Sequence, residues 1–161
     1  MRGFTRIAAA IAVFLCGFAS LPAMAQTPSH TLDDASLKTM LDGLGYDNKP
    51  LNKGFLITYS VDTWSLYIQL VLSPDGTKLG MNANLGEVGD LSAIPAKKWL
   101  DLLVANGTID PSSFYVDAPN KKLYLHRAID NRDVTPAFLR GQFETFVKNI
   151  TDNGDLWDLT K

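Results

Sequence analysis

Few side chains in this sequence have the types and spacing that acid–base or nucleophilic catalysis needs. Its two histidines differ in setting, since His30 lies in a polar segment and His126 in a run of alternating apolar residues. Glu87 and Glu144 are its only glutamates, and no carboxylate pair suited to glycoside hydrolysis stands out. No serine occupies a G-x-S-x-G motif, and the glycines form no phosphate-binding loop. We therefore predict a protein without catalytic residues, metal ligands or a bound cofactor.

Polar and aromatic residues of the predicted strands are the remaining candidates for binding. Alternation places them on one face of the predicted sheet, here called the mixed face. The plainer interpretation is that His126 is a surface histidine and that Tyr67 and Tyr124 form ordinary cross-strand pairs. Because tyrosine is enriched in interfaces, this face is also a candidate binding platform or homodimer surface. The candidate binding residues are Tyr67, Gln69, Asn82, Tyr124 and His126.

The first 25 residues have the layout of a secretory signal peptide. Two arginines precede an uncharged apolar run over residues 7–19, Pro22 follows it, and Ala23-Met24-Ala25 supplies an A-x-A cleavage site. A membrane anchor needs about 20 apolar residues, more than this run provides. The residues before Cys16 are too large for lipoprotein acylation at that cysteine. We therefore predict cleavage after Ala25 and a periplasmic or secreted protein.

Removal of this leader changes the composition of the chain. It takes away two arginines and no acidic residue, so Lys plus Arg falls from 15 to 13 against 17 Asp plus Glu, and the net charge falls from −2 to −4. The single cysteine leaves too, which excludes a disulfide, a thiol nucleophile and a cysteine-ligated metal. The mildly acidic remainder argues against nucleic acid or an anionic membrane as the main partner. We expect no stable membrane insertion after cleavage.

The mature chain predicts one α+β domain over residues 32–161, after a loose tail at residues 26–31. Apolar spacing and alternation predict the order α-β-β-β-α-β-β-α. Tight turns such as Ser73-Pro74-Asp75-Gly76 make the strands antiparallel, with the helices mainly on one face of the sheet. The predicted helices cover residues 33–44, 95–105 and a third segment from Pro136, and the strands cover 54–60, 64–72, 78–85, 113–117 and 121–128.

The same patterns assign a core. On the strands, one set of alternating residues should face the helices, and it comprises Trp64, Leu66, Ile68, Leu79, Met81, Ala83, Leu123 and Leu125. On the second helix, an apolar stripe of Trp99, Leu100, Leu102 and Leu103 should face the sheet. Trp157 lies beyond the last helix and either folds back onto the domain or contacts a partner.

Several short segments of the mature chain carry a family resemblance. They are residues 41–46 (LDGLGY), 102–106 (LLVAN), 114–117 (FYVD) and 123–127 (LYLHR), and the helix entry Thr135-Pro136. In this order and spacing they make residues 32–157 resemble the YbjN-like family of bacterial sensory transduction regulators, whose fold is that of type III secretion chaperones. The resemblance implies a non-enzymatic binding or regulatory module and supplies no site residues. The signal peptide departs from the family's cytoplasmic members.

These observations predict an exported, non-catalytic binding or regulatory module. We expect it to meet a protein or peptide partner and to form a homodimer. The alternative is a small-molecule or envelope-stress sensor that binds its ligand on the mixed face. An enzyme is the third hypothesis, and the sequence lacks the convergent set of titratable side chains that it would need.

Overall fold

A computed structural model describes residues 30–157 of the chain. The predicted signal peptide, residues 26–29 of the predicted tail and residues 158–161 lie outside this range. The helices are α1 Asp34–Leu44, α2 Ala96–Asn106, α3 Pro136–Asp152 and α4 Gly154–Trp157, and the strands are β1 Asn48–Pro50, β2 Phe55–Val61, β3 Trp64–Leu72, β4 Lys78–Glu87, β5 Ser112–Asp117 and β6 Lys122–Asp130.

The strands form one antiparallel sheet in the order β1-β2-β3-β4-β6-β5. The α+β class and the order of the longer elements are confirmed. Three short elements were not predicted: β1, a 3-10 helix at Leu91–Ala93, and α4. Each has only three or four residues, which is too short for a hydrophobic period to show.

Local side chains set the ends of α1 and α3. Asp33 and Ser36 form a capping box, in which Ser36 N–H donates to Asp33 Oδ1 and Asp33 N–H donates to Ser36 Oγ, both at 2.8 Å. Gly45 ends α1 in the left-handed region at a φ of 78°. Thr135 Oγ1 accepts from Phe138 N–H at 3.2 Å, and Pro136 opens α3.

The core lies between the helices and one face of the sheet. Every strand residue predicted to face the helices is buried, except Trp64, which is half-buried. They pack with apolar residues of all three longer helices, including Leu37, Leu102 and Phe143. Because the opposite sheet face stays partly exposed, the helices cover one side only, as predicted.

The apolar stripe predicted on α2 is wrong in part. Leu102 is buried and Trp99 half-buried, but Leu100 and Leu103 are 62% and 66% exposed. The neighbouring Val104 is 68% exposed. Residues 99–105 are apolar except for Asp101, so the sequence does not fix which side of the helix turns inward. Leu102 and Ala105 are the buried residues of α2, and the outer side of the helix remains apolar.

Residues 30 and 31 of the predicted tail belong to the folded domain. His30 N–H donates to Asp133 Oδ1 at 2.9 Å, and Thr31 forms a β-bridge with Arg132. Beside them, the fully buried Asn131 donates to the carbonyls of Leu32 and Gly76, each at 2.9 Å. This amide joins the start of α1 to the β3–β4 hairpin.

Trp157 folds back onto the domain, which decides between the two alternatives for this residue. Its Nε1–H donates to the carbonyl of Ile150 at 2.8 Å, and its ring centroid lies 5.1 Å from that of Trp64. The short α4 thereby covers the β2–β3 end of the core.

Candidate binding surfaces

The pairing register gathers the five predicted binding residues on the mixed face. Gln69 pairs with Asn82, and Asn82 pairs with His126, so these three form one row across β3, β4 and β6. Tyr124 pairs with Asn84 one row away, while Tyr67 pairs with Thr58 and is 56% exposed. Their shared face agrees with the alternation, and their role in binding stays a prediction.

His126 is held in place by its neighbour in the row. Its Nδ1 lies 2.8 Å from Asn82 Oδ1, and because that oxygen only accepts, Nδ1 carries the proton. Burial lowers the pKa of His126 below its usual value. A hydrogen bond with the backbone of Met81 opposes this shift.

Tyr124 has an aromatic partner that the sequence reasoning did not single out. Tyr115 on β5 pairs with Tyr124 and stacks on it, with ring centroids 5.3 Å apart and an interplanar angle of 13°. Its edge also meets His126 at 6.3 Å. Burial raises the pKa of Tyr115, so its hydroxyl stays protonated. The alternation of β5 indicates that Tyr115 lies on the mixed face. Its contact with Tyr124 depends on the register between β5 and β6, which the sequence pattern does not give.

A second surface lies on the outer side of α2 and is continuous with Tyr115. We call it the α2 surface, and its residues are Leu100, Leu103, Val104 and Tyr115. Leu103 and Tyr115 line one small cavity of about 140 Å³ together with Trp99 and Val116. The α2 surface thus runs from the helix to the edge strand β5.

The edge of β5 beside this surface is partly closed by α2 itself. The side chain of Asn106 accepts from Phe114 N–H at 2.7 Å and donates to the Phe114 carbonyl at 3.3 Å. An added strand would need the same two backbone groups. The backbone groups of β5 are therefore already paired at Phe114. A partner at this edge would contact the side chains of the α2 surface instead.

A buried arginine lies on the opposite, core side of β6. Arg127 is 6% exposed, and burial lowers its pKa while the charge of Asp110 opposes that shift. Its Nε and Nη1 have no hydrogen-bond partner within the described residues. This charge belongs to the interior and contributes to neither surface.

Two features are absent from the described residues. Between residues 30 and 157, no helix has the length and apolar character needed to cross a membrane. In that same range, no three His, Cys, Asp or Glu side chains come together in a way that would hold a metal ion.

Comparison with known proteins shows relatives in fold only. No protein-family model and no curated protein sequence matches the chain. A chain of the HopA1–SchA chaperone–effector complex is 14% identical with a TM-score of 0.51, and the match covers 73% of this chain and 93% of that one. A chain of the ExsC–ExsE complex is 16% identical with a TM-score of 0.51, covering 77% and 92%.

The third structure is YbjN from E. coli. It is 18% identical with a TM-score of 0.54, and the match covers 75% of this chain and 90% of that one. All three identities are low, and what the three structures share with this chain is the arrangement of helices and sheet. The resemblance to YbjN and to type III secretion chaperones is therefore confirmed at the level of the fold.

Proposed function

We propose that this protein is an exported, non-catalytic module that binds a protein or peptide through the α2 surface. The observation that carries the proposal is the exposure of Leu100, Leu103 and Val104, each more than 60% accessible on one side of a single helix. Adjacent large apolar side chains left in water mark interaction sites in soluble proteins.

The composition of the α2 surface also suits a protein partner. Tyr115 adds an aromatic ring, a residue type enriched in interfaces. The cavity of about 140 Å³ between Leu103 and Tyr115 is large enough for one apolar side chain of a partner. A contact of this kind is anchored by a few side chains and not by the whole area.

The structural neighbours are consistent with such a role. One is a chaperone in complex with an effector, and another is the ExsC–ExsE complex. Their low identity means that they support the proposal through the fold alone. Export follows from the predicted signal peptide, and a second copy of the chain is the alternative occupant of the α2 surface.

Site-specific photo-crosslinking tests the proposal. A photoreactive amino acid is placed at Leu103 in the protein expressed from its native host, and at Leu51 as a matched control. Leu51 is also an exposed leucine, at 43%, but it lies between β1 and β2, and β1 is the edge strand opposite β5. We expect one discrete protein adduct from position 103, none from position 51, and loss of the adduct on Val104→Asp.

Mass spectrometry of the adduct separates a heterologous partner from a second copy of the chain. An adduct with a foreign protein supports the proposal. An adduct of twice the chain mass would show that the α2 surface binds a second copy of the chain and not a foreign partner. The absence of an adduct at position 103, or equal adducts at both positions, would overturn the role of the α2 surface.

A further inference from the structure

A groove of about 390 Å³ lies on the mixed face beside His126. We call it the sheet groove. Its floor is one row of paired residues, Val71 on β3, Gly80 on β4 and Ala128 on β6. The sheet groove is bordered by Lys53, Leu72, Ser73, Pro74, Lys78 and His126.

Small residues in the floor create this space. A Cβ at Gly80 would stand 3.5 Å from Val71 Cγ1 and 3.6 Å from His126 Cε1, so even one methyl group would fill part of it. Ala128 beside it carries only a methyl group. The next row holds Gln69, Asn82 and His126, and the larger side chain of His126 borders the groove on that side. The concavity is therefore encoded by Gly80 and Ala128.

The charges at the border of the sheet groove are cationic in an acidic protein. Lys53 and Lys78 both line it, and no carboxylate does. Asp75 in the adjacent turn uses its carboxylate locally, because Oδ1 accepts from Ser73 Oγ and from the N–H and hydroxyl of Thr77. Asp130 lies 3.9 Å from Lys78 and equally far from Arg132, so it neutralises only part of this border.

We propose that the sheet groove binds a small amphipathic anion, with the apolar chain on the Val71–Gly80–Ala128 floor and its carboxylate at Lys53 and Lys78. The volume lies within the range of small-ligand pockets, roughly 300–1,000 Å³. The apolar floor favours a short hydrocarbon chain, and the lysines favour a negative head. The site shares no residue with the α2 surface and does not rest on the proposed protein-binding function.

Protein-observed NMR with three ligands of one chain length tests this site. Hexanoate, 1-hexanol and hexylamine share the same hydrocarbon and differ only in the charge of the head. We expect hexanoate at millimolar concentrations to shift the backbone amides of Gly80 and Ala128. 1-Hexanol should bind about tenfold more weakly, because the charge-assisted contact is lost, and hexylamine should not bind.

Variants at exposed positions separate the two parts of the site. Ala128→Phe fills the floor and should abolish the shifts, while Ser65→Phe, at an exposed position of the same face outside the groove, should not. Lys53→Glu should weaken hexanoate about tenfold. Lys49→Glu makes the same charge change at an exposed lysine outside the groove and should have little effect.

Three kinds of result would overturn the proposal. Equal affinity for hexanoate and 1-hexanol would exclude the lysines as the anion site. Shifts that survive Ala128→Phe, or that map to the α2 surface, would exclude the sheet groove as the location. Binding only to vesicles of anionic lipid, with no response to free hexanoate, would also count against a small-molecule site.

Discussion

Asn106 and Phe114 form a reciprocal pair, in which one side-chain amide satisfies both outward backbone groups of an edge-strand residue. The two distances are 2.7 Å for the Phe114 N–H and 3.3 Å for its carbonyl. Asn106 is the last residue of α2, and Phe114 is buried in the middle of β5. The pair therefore attaches the helix to the sheet and also closes the exposed edge at that point.

Asn106→Ala should lower the free energy of unfolding by about 1–3 kcal/mol, because it removes both hydrogen bonds and leaves the backbone N–H and carbonyl of Phe114 unpaired. Urea denaturation measures this loss. Asn52→Ala is the matched control, since Asn52 is exposed in a loop, and it should change stability by less than about 0.5 kcal/mol. Equal losses in the two variants would contradict a structural role for the pair.

The two neighbouring leucines of α2 should respond oppositely to truncation. Leu102 is 4% exposed and Leu103 is 66% exposed. Leu102→Ala should cost about 2–5 kcal/mol, because it opens a cavity in the core, whereas Leu103→Ala should stay within about 0.5 kcal/mol. Thermal or urea unfolding of both variants measures the difference. A large loss at Leu103 would mean that α2 packs the other way round.

The long elements could be predicted from the sequence because their patterns are unambiguous. The turn at Pro74-Asp75-Gly76 has the predicted hairpin form, with Gly76 N–H donating to the Ser73 carbonyl at 2.8 Å. Alternation along β3 and β6 also separates core from mixed face correctly. In both cases a period or a cap is contained within a few consecutive residues, so no tertiary information is needed.

The surfaces could not be predicted in the same way, because they depend on contacts between distant segments. The exposed side of α2 follows from how the helix meets the sheet, and an almost wholly apolar segment does not encode that orientation. The Tyr115–Tyr124 stack requires the β5–β6 register. The sheet groove requires Gly80 and Ala128 to stand in one row, 48 positions apart in the chain. Of its border, the sequence reasoning identified only His126.

Two glycines should show opposite effects when a methyl group is added. Gly54 has a φ of +72°, and a Cβ there would lie 1.9 Å from the Leu70 carbonyl oxygen. Gly141 lies within α3, and a Cβ there would have nothing within 4 Å. Gly54→Ala should therefore destabilise the fold by about 3 kcal/mol or more. Gly141→Ala should stabilise it by about 0.5–1 kcal/mol, because alanine restricts the unfolded chain and favours the helix.

Unfolding in urea checks this pair, with far-UV circular dichroism as the probe. Gly141→Ala also serves as the control for Gly54→Ala, since both add one methyl group to a glycine. If Gly54→Ala retained full stability, Gly54 would not lie as close to the Leu70 carbonyl oxygen as the structure places it.

The acid stability of the β3–β4 hairpin should depend on Asp75. Hydrogen bonds from Ser73 and Thr77 lower the pKa of Asp75 from 3.8 to about 2. The folded state therefore favours the ionised carboxylate, and this stabilisation is full above pH 3.8 and is lost as the pH falls toward 2. Asp75→Asn should destabilise the protein at neutral pH, and its difference from the native chain should shrink below pH 3.8 and be lost as the pH falls through about 2.

The residue that matters most for this shift is Ser73, whose hydroxyl lies 2.6 Å from Asp75 Oδ1. Ser73→Ala should therefore raise the pKa of Asp75 back toward its usual value, measured by NMR titration of the side-chain carboxyl carbon. Ser60→Ala changes an exposed serine outside the hairpin and should leave that titration unchanged. If the curve of Asp75 were the same in both variants, the turn hydrogen bonds would not be the cause of its acidity. A stability difference between Asp75→Asn and the native chain that was as large at pH 2 as at neutral pH would contradict the linkage itself.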